Sequence, residues 1–261
     1  MNYLRMLLAF WRVNIFGEAA YRINFFIQLF QSLLNLGMTL GGLAIIFNYT
    51  NLLGGWQPDE VLALVGVYFL ISGIIGLLIR PGMEDFIESV RDGTFDFDLT
   101  KPADAQVLVS LQRLDIFEMQ DILLGLGVLI YSLLRLGADI GVLQIAEFLL
   151  MLVTGGVVIY SYFMILSTLS FWFVRVENIL EIFRSMYEAG RWPVSLYPGW
   201  LRYGLTFIVP VAFATTVPAE AITGRLNWQT LLLSVALAAV LFFFARVFWK
   251  IGLRHYSGAS A

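Results

Sequence analysis

The sequence predicts an all-α integral membrane protein that crosses the bilayer about six times, and three observations carry that prediction. Of the 261 residues, 59% are hydrophobic and only 13% charged. A soluble domain averages about 25% charged residues, so this chain has too little polar surface to cover a water-exposed globule. Apolar stretches recur at the length of a spanning helix, roughly 20 residues, and a chain of this size holds about six of them with their connections. Basic residues crowd some connections and are missing from others, as happens when successive short loops lie on opposite sides of a membrane. A second, soluble domain is not expected.

Taken in order, residues 1–22 begin the chain with helical periodicity. Leu4, Leu7, Leu8, Trp11 and Ile15 share one face while Asn2, Arg5 and Arg12 lie elsewhere, the pattern of a helix resting in the headgroup plane. Arg5, Arg12, Glu18 and Arg22 interrupt any apolar core of a cleavable signal peptide. The first span is expected over Asn24 to Phe47, followed by a loop, Asn48 to Glu60, without Lys or Arg. The second covers Val61 to Ile79. A polar segment, Arg80 to Arg113, holds Arg80, Arg91, Lys101 and Arg113 among several Asp and Glu. Ile116 to Leu134 is the third span, Gln144 to about Val174 the fourth, and Trp228 to Phe248 the last.

The charge rule places the N-terminus and the Arg80 to Arg113 segment in the cytoplasm. Arg246, Lys250 and Arg254 put the C-terminus there too, so the number of crossings is even. The fifth crossing is ambiguous. Hydropathy selects Leu201 to Val217, although Pro210 interrupts it and Pro218 closes it. The rival, Val176 to Trp192, carries Glu181, Arg184, Glu188 and Arg191 at spacings of three, four and three, which puts all four on one helical face. Such a face avoids lipid by turning into a dimer or a wet cavity, pairs with a neighbouring span, or is simply solvated if the helix lies on the cytoplasmic surface.

Within the polar segment, Met83 to Val90 has Met83, Phe86, Ile87 and Val90 on one face and Glu84, Asp85 and Glu88 available to water. Gly93 fits a helix stop and Pro102 the start of a further short helix. A short amphipathic helix on a cytoplasmic loop suits docking by a soluble partner, and equally a connector resting on the membrane. Phe86 to Pro102, with Arg91-x-Gly93, Phe95-Asp96-Phe97-Asp98-Leu99 and Lys101-Pro102, resembles the loop after the second span in permeases of type-2 ABC exporters, especially the daunorubicin-resistance-like branch. Trp192-Pro-Val-Ser-Leu-Tyr-Pro-Gly-Trp-Leu-Arg, Phe207-Ile-Val-Pro-Val-Ala-Phe and Val217-Pro-Ala to Gly224 resemble that group's signature before its final span.

The resemblance implies a single permease domain over residues 1–261 in a bacterial inner membrane: six transmembrane helices, an N-terminal interfacial helix, a cytoplasmic coupling loop over 80–115 and a re-entrant outer segment before the last span. Leu201 to Val217 would then dip, and Val176 to Trp192 would cross. It also implies a separate ABC-type ATPase subunit, contacted through Glu84, Asp85, Phe86, Glu88 and Arg91, and a second permease chain in a homodimer or heterodimer. Glu181, Arg184, Glu188 and Arg191 become candidates for a pathway or dimer face. The chain needs no cofactor of its own, with ATP and Mg expected in the partner subunit.

What is absent agrees with this. No glycine-rich phosphate loop ending in Lys-Ser or Lys-Thr occurs, so the chain is not expected to hydrolyse ATP by that machinery. There is no cysteine and one histidine, His255, which excludes thiolate metal sites and makes an imidazole zinc site or a serine triad improbable. A net charge of −3 provides no basic stripe for nucleic acid. Gly37 and Gly41 form a GxxxG on the first span, and Gly66, Gly73 and Gly76 line the second. Close helix contact is the expected reason, within the chain in preference to across a dimer. Two rival functions remain. An ion-coupled secondary transporter would use Glu181, Arg184 and Glu188 as coupling groups, and a non-transporting membrane scaffold would use the charged face for assembly alone.

Overall fold

The computed structural model of the protein describes residues 10–12, 22–137, 141–173 and 176–256. These are helical nearly throughout, and the bridge between Leu53 and Trp56 is the only extended pairing among them. Of the anticipated interfacial helix over 1–22, all but Phe10, Trp11, Arg12 and Arg22, which opens the first span, lies outside the described residues.

Helix α1 (Arg22–Tyr49) leads to a tight turn at Gly54-Gly55, whose positive φ angles of 59° and 86° suit glycine. That turn marks one end of the bundle, called here the hairpin end. Helix α2 (Pro58–Ile74) follows, started by Pro58 and by a reciprocal cap in which the Gln57 N–H donates to Glu60 Oε2 at 2.7 Å. It is apolar all round and buried from Val61 to Ile71 almost without interruption, so it forms the core that the other spans surround.

By sequence, the second span ends at Ile79 and helical character resumes at Met83. Instead, α2 continues through a π turn at Ile75–Ile79 into α3 (Arg80–Arg91), making one rod from Pro58 to Arg91. Pro81 has no N–H for the Leu77 carbonyl four residues back, and the Asp115 N–H donates to that carbonyl instead, at 3.2 Å. The disruption is therefore absorbed as a widened turn and not as a helix end. At about 1.5 Å per residue the rod is about 51 Å long, some 20 Å more than a hydrocarbon core. The excess is α3, which stands at the polar end of the bundle, opposite the hairpin end.

Helix α3 stops as anticipated at Gly93 (φ 71°): the Gly93 N–H donates to Val90 O at 3.3 Å and the Thr94 N–H to Ser89 O at 2.8 Å, the paired bonds of a Schellman ending. A short helix, α4 (Phe95–Leu99), comes next. Pro102 does not begin the following helix. Asp104 does, as N-cap of α5 (Ala105–Leu111), its carboxylate accepting from the Gln106 and Val107 N–H groups. Helix α6 (Met119–Leu136) is the third span and α7 (Val142–Thr168) the fourth.

Glycines let α2 and α6 touch backbone to backbone. A Cβ placed on Gly66 would sit 2.7 Å from the Leu129 nitrogen, and one on Gly73 the same distance from the Ile122 nitrogen. Gly37 and Gly41 behave differently, because nothing lies within 4 Å of either position. The expectation that they serve contact inside the chain is corrected: α1 presents them outward, together with Phe30, Leu34, Met38 and Ile45.

The passage from the polar end to the hairpin end is made by Val176 to Trp192, continued to Leu196, and not as one long helix. Helix α8 (Glu177–Tyr187) starts at the polar end, passes Phe163 and Tyr68 by ring contacts at Phe183 and Tyr187, and continues as a 3-10 turn over Glu188–Arg191. The chain then reaches the hairpin end, where Ser195 Oγ donates to Gly54 O at 2.8 Å. About 16 Å of α-helix, about 8 Å of 3-10 turn and about 6 Å of extended chain cover the thickness that 20 helical residues would fill. Such irregular backbone survives at membrane depth only where protein covers it, and Gly190, Pro193 and Val194 are buried.

Gly199–Ile208 and Val211–Ile222 form a pair bent by 67°, containing α9 (Gly199–Tyr203), α10 (Val211–Ala214) and α11 (Thr216–Ile222). Pro210 turns the chain, with the Val211 N–H donating back to Val209 O at 2.6 Å. Both ends of the pair sit at the hairpin end: the entry follows Ser195, and on the way out Arg225 donates to Gly55 O at 3.0 Å and pairs with Glu60 at 2.5 Å. Leu201 to Val217 therefore enters and returns, and its tip meets Gly155 midway along α7. Asn227 caps α12 (Trp228–His255), the last span. Six passages result, with the chain's described ends both at the polar end.

Candidate functional site

Two features at the polar end gather the residues singled out from the sequence. The first is the outer face of α3. Met83, Phe86 and Ile87 are at most 1% exposed and hold the helix down. Phe86 joins Phe95, Phe171 and Trp249 in an aromatic cluster with ring centroids 4.9–5.3 Å from it. This removes Phe86 from the surface contacts suggested by the sequence: its spacing from Met83 and Val90 puts it on the inward face, where it anchors α3 to α12 and to the end of α7.

Asp85, Glu88 and Arg91 of that set face outward, and Glu84 is exposed at the edge shared by that face and the cavity behind it. Glu84 lies 3.8 Å from Arg80, Asp85 pairs with Arg113, and Glu88 and Arg91 pair with each other at 3.4 Å while Arg91 also reaches Asp92 at 3.1 Å. All are partly exposed, so these pairs add little stability. Their effect is a charged, shape-defined surface on a helix whose other face is immobilised.

Behind α3 lies a cavity of about 510 Å³ between α1, the α2–α3 rod, the start of α6, and α8. Glu181, Arg184 and Glu188 form its rim, each more than half exposed, with Glu181 4.0 Å from Arg184 and Glu188 3.6 Å from Arg191. Three of the residues brought to one face by spacing thus reach the rim of one cavity. Arg191 stands apart, mostly buried, with its guanidinium 5.4 Å from the Tyr68 ring centroid and donating to Asn35 Oδ1 at 3.4 Å. The floor carries Glu118, Gln120 and Asp121; Arg80 clasps Glu118 at 2.6 Å.

Sequence reasoning missed this floor because Glu118 and Asp121 sit inside the first turns of an otherwise apolar span. It also missed the opposite wall, Gln28, Gln31, Ser32 and Asn35 of α1. A signal for that wall was present: the spacing i, i+3, i+4, i+7 makes one polar stripe along a span.

A second group missed in the sequence ties the polar segment to the spans. Asp104 forms a two-pronged pair with Arg246 of α12, one prong at 2.9 Å. Arg246 also donates to Gln106 Oε1 at 2.6 Å, and Ser110 shares a 2.8 Å hydrogen bond with Tyr160 of α7. The Arg246 guanidinium holds the Asp104 carboxyl below its usual range. Trp11 adds an N–H donated to Leu111 O at 2.7 Å.

Among the described residues no group of three His, Cys, Asp or Glu is arranged to hold a metal ion. The family described as ABC-2 family transporter protein matches residues 33–260. No curated protein and no solved structure matches the chain. The family match spans nearly the whole bundle, including the rod, the cavity-lining spans and the re-entrant pair. The chain therefore belongs to the ABC-2 transporter family, as a multi-pass membrane permease of an ABC-type transporter.

Proposed function

We propose that the chain is the membrane half of an ATP-driven exporter, in which a separate ATPase subunit binds ATP and Mg and docks on α3 through Glu84, Asp85, Glu88 and Arg91. The polar end then faces the cytoplasm of a bacterial inner membrane, with both termini on that side. Two permease chains, identical or paired with a sibling, complete the assembly, and α1 with its outward Gly37 and Gly41 is the face offered to the second. The finer resemblance to the daunorubicin-resistance-like branch belongs to this proposal.

One observation carries the reading. The acidic surface is the protruding end of the core helix, with no loop between Pro58 and Arg91, so a push on Glu84 to Arg91 moves α2 itself. Closure of the ATPases would shift that rod against α6 and favour one accessible state of the cavity over another. The chain contributes path and coupling, and hydrolysis stays with the partner.

The test replaces Glu84, Asp85 and Glu88 with Lys together. The variant permease is expected to insert and keep its melting temperature while losing co-purification with a co-expressed partner ATPase. Recovery of the complex at wild-type yield contradicts the docking surface. Transport by the purified permease without nucleotide would reject the exporter reading in favour of an ion-coupled transporter.

A further inference from the structure

We propose that the cavity behind α3 takes an organic cation with a compact apolar or aromatic body. This names the substrate class for the path proposed above and rests on that reading for its transport role, though not for binding. The first argument is charge. Five carboxylates, Glu84, Glu118, Asp121, Glu181 and Glu188, line the cavity against two arginines, Arg80 and Arg184. Those arginines are engaged, Arg80 with Glu118 and Glu84, Arg184 with Glu181, and Arg191 behind them with Glu188. Asp121 has no ion-pair partner among the described residues.

The second argument is independent of charge. Gln120 is 7% exposed, yet its Oε1 accepts no hydrogen bond, and neither do Asp121 Oδ1 and Gln28 Oε1. All three residues line this one cavity. Buried polar atoms in folded proteins are nearly always paired, with protein or with water, and a guest that donates or is positively charged can take the place of that water. A donating guest suits all three acceptors, and a positive charge on it matches the excess of acidic side chains over arginines in the lining.

The walls supply the rest. Phe69, Phe163, Phe183, Tyr68 and Tyr187 border the space, and aromatic faces attract cations. Arg191 over Tyr68 already makes such a contact here. The volume falls in the range of about 300–1,000 Å³ that holds drug-sized ligands.

Two probes of nearly the same shape and opposite charge, tetraphenylphosphonium and tetraphenylborate, test this. Full-length permease in lipid nanodiscs, without any ATPase, is titrated with each, and binding to empty discs is subtracted. Saturable binding is expected for the phosphonium and none for the borate. Asp121→Asn should weaken phosphonium binding at least tenfold, about 1.4 kcal/mol. Glu181→Gln, at the exposed rim where folding is not at stake, should weaken it about threefold, about 0.65 kcal/mol, and carries the test if the Asp121 variant does not fold. Equal binding of the borate, no saturable phosphonium binding, or unchanged affinity in the folded variants overturns the proposal. If phosphonium fails while the ATPase still assembles, only the substrate class falls. If phosphonium binds but the ATPase never docks, the cavity keeps its ligand and the exporter reading falls.

Discussion

Gly125→Ala is expected to pry the α2–α6 seam apart. A Cβ at Gly125 would lie 2.7 Å from Gly66 O and closer still to the Leu70 nitrogen, whereas ordinary van der Waals contact starts at 3.4 Å. Both obstacles are backbone of the core helix, so no side chain can swing aside. Relief requires α6 to move by about 1 Å, and a gap of 0.5–1 Å forfeits about a quarter to a half of each lost atom pair's attraction. Overpacking of this kind costs about 1–3 kcal/mol. Alanine also has the higher helix propensity, by about 1 kcal/mol, which partly offsets the clash. Gly127 removes that complication: it lies on the same helix, and nothing is within 4 Å of its Cβ position. The difference between Gly125→Ala and Gly127→Ala therefore isolates the clash. At about 2–4 °C per kcal/mol for a chain of this size, the first variant should melt about 5 °C below the second in detergent. Equal melting temperatures, or a more stable Gly125→Ala, would refute the claim that these helices meet through their backbones.

Three other expectations follow from the same geometry. Asp104→Asn keeps the cap of α5 and loses only the charge facing Arg246, for about 0.5 kcal/mol at this exposure; Asp104→Ala loses the cap as well, for about 1.5 kcal/mol in all, and chemical or thermal unfolding should rank them so. Because Arg246 depresses the Asp104 pKa, the pair's contribution is present above the ordinary aspartate value of about 3.9 and is lost as pH falls below it; the wild-type advantage over Asp104→Asn should hold at pH 7 and vanish in acid, and an advantage unchanged by acid would count against it. In this cysteine-free chain, Gly199→Cys should react with an impermeant thiol reagent on intact cells and Glu88→Cys only after permeabilisation, with the reverse pattern rejecting the proposed sidedness. Gly37→Leu with Gly41→Leu should leave the monomer's melting temperature unchanged while weakening self-association of the purified permease, read by light scattering; a destabilised monomer would mean that these glycines do have contacts within the chain.

Much of the architecture was legible in the chain because lipid imposes a simple rule: apolar runs of fixed length become helices, since every backbone group must be satisfied within the segment. That rule locates α1, α2, α6, α7 and α12 within a few residues, and Gly93 ends α3 because a positive φ there suits only glycine. The shared face of Glu181, Arg184 and Glu188 was legible from their spacing, whereas Arg191, at the end of the 3-10 turn, departs from it. The fifth passage was not readable from hydropathy, since Val176 to Leu196 is short, charged and broken, and the more apolar Leu201 to Val217 imitates a span. Family resemblance pointed the right way where periodicity could not.

Other features depend on contacts between residues far apart in the chain. The continuity of α2 into α3 rests on the Asp115 N–H reaching a carbonyl that Pro81 leaves unpaired, and nothing local to Pro81 announces that donor. Spacing puts Phe86 on the apolar face of its helix, but only the fold shows that Phe95, Phe171 and Trp249 close over that face. Glu118 and Asp121 read in the sequence as two acids at the start of an apolar span; they become part of a cavity only when α1, α2, α6 and α8 converge. Composition and spacing determined which segments enter the membrane and which faces are polar, because those follow from each segment's own transfer energy. Tertiary structure alone decided which polar faces meet, since that depends on the close approach of helices separated by many turns of chain.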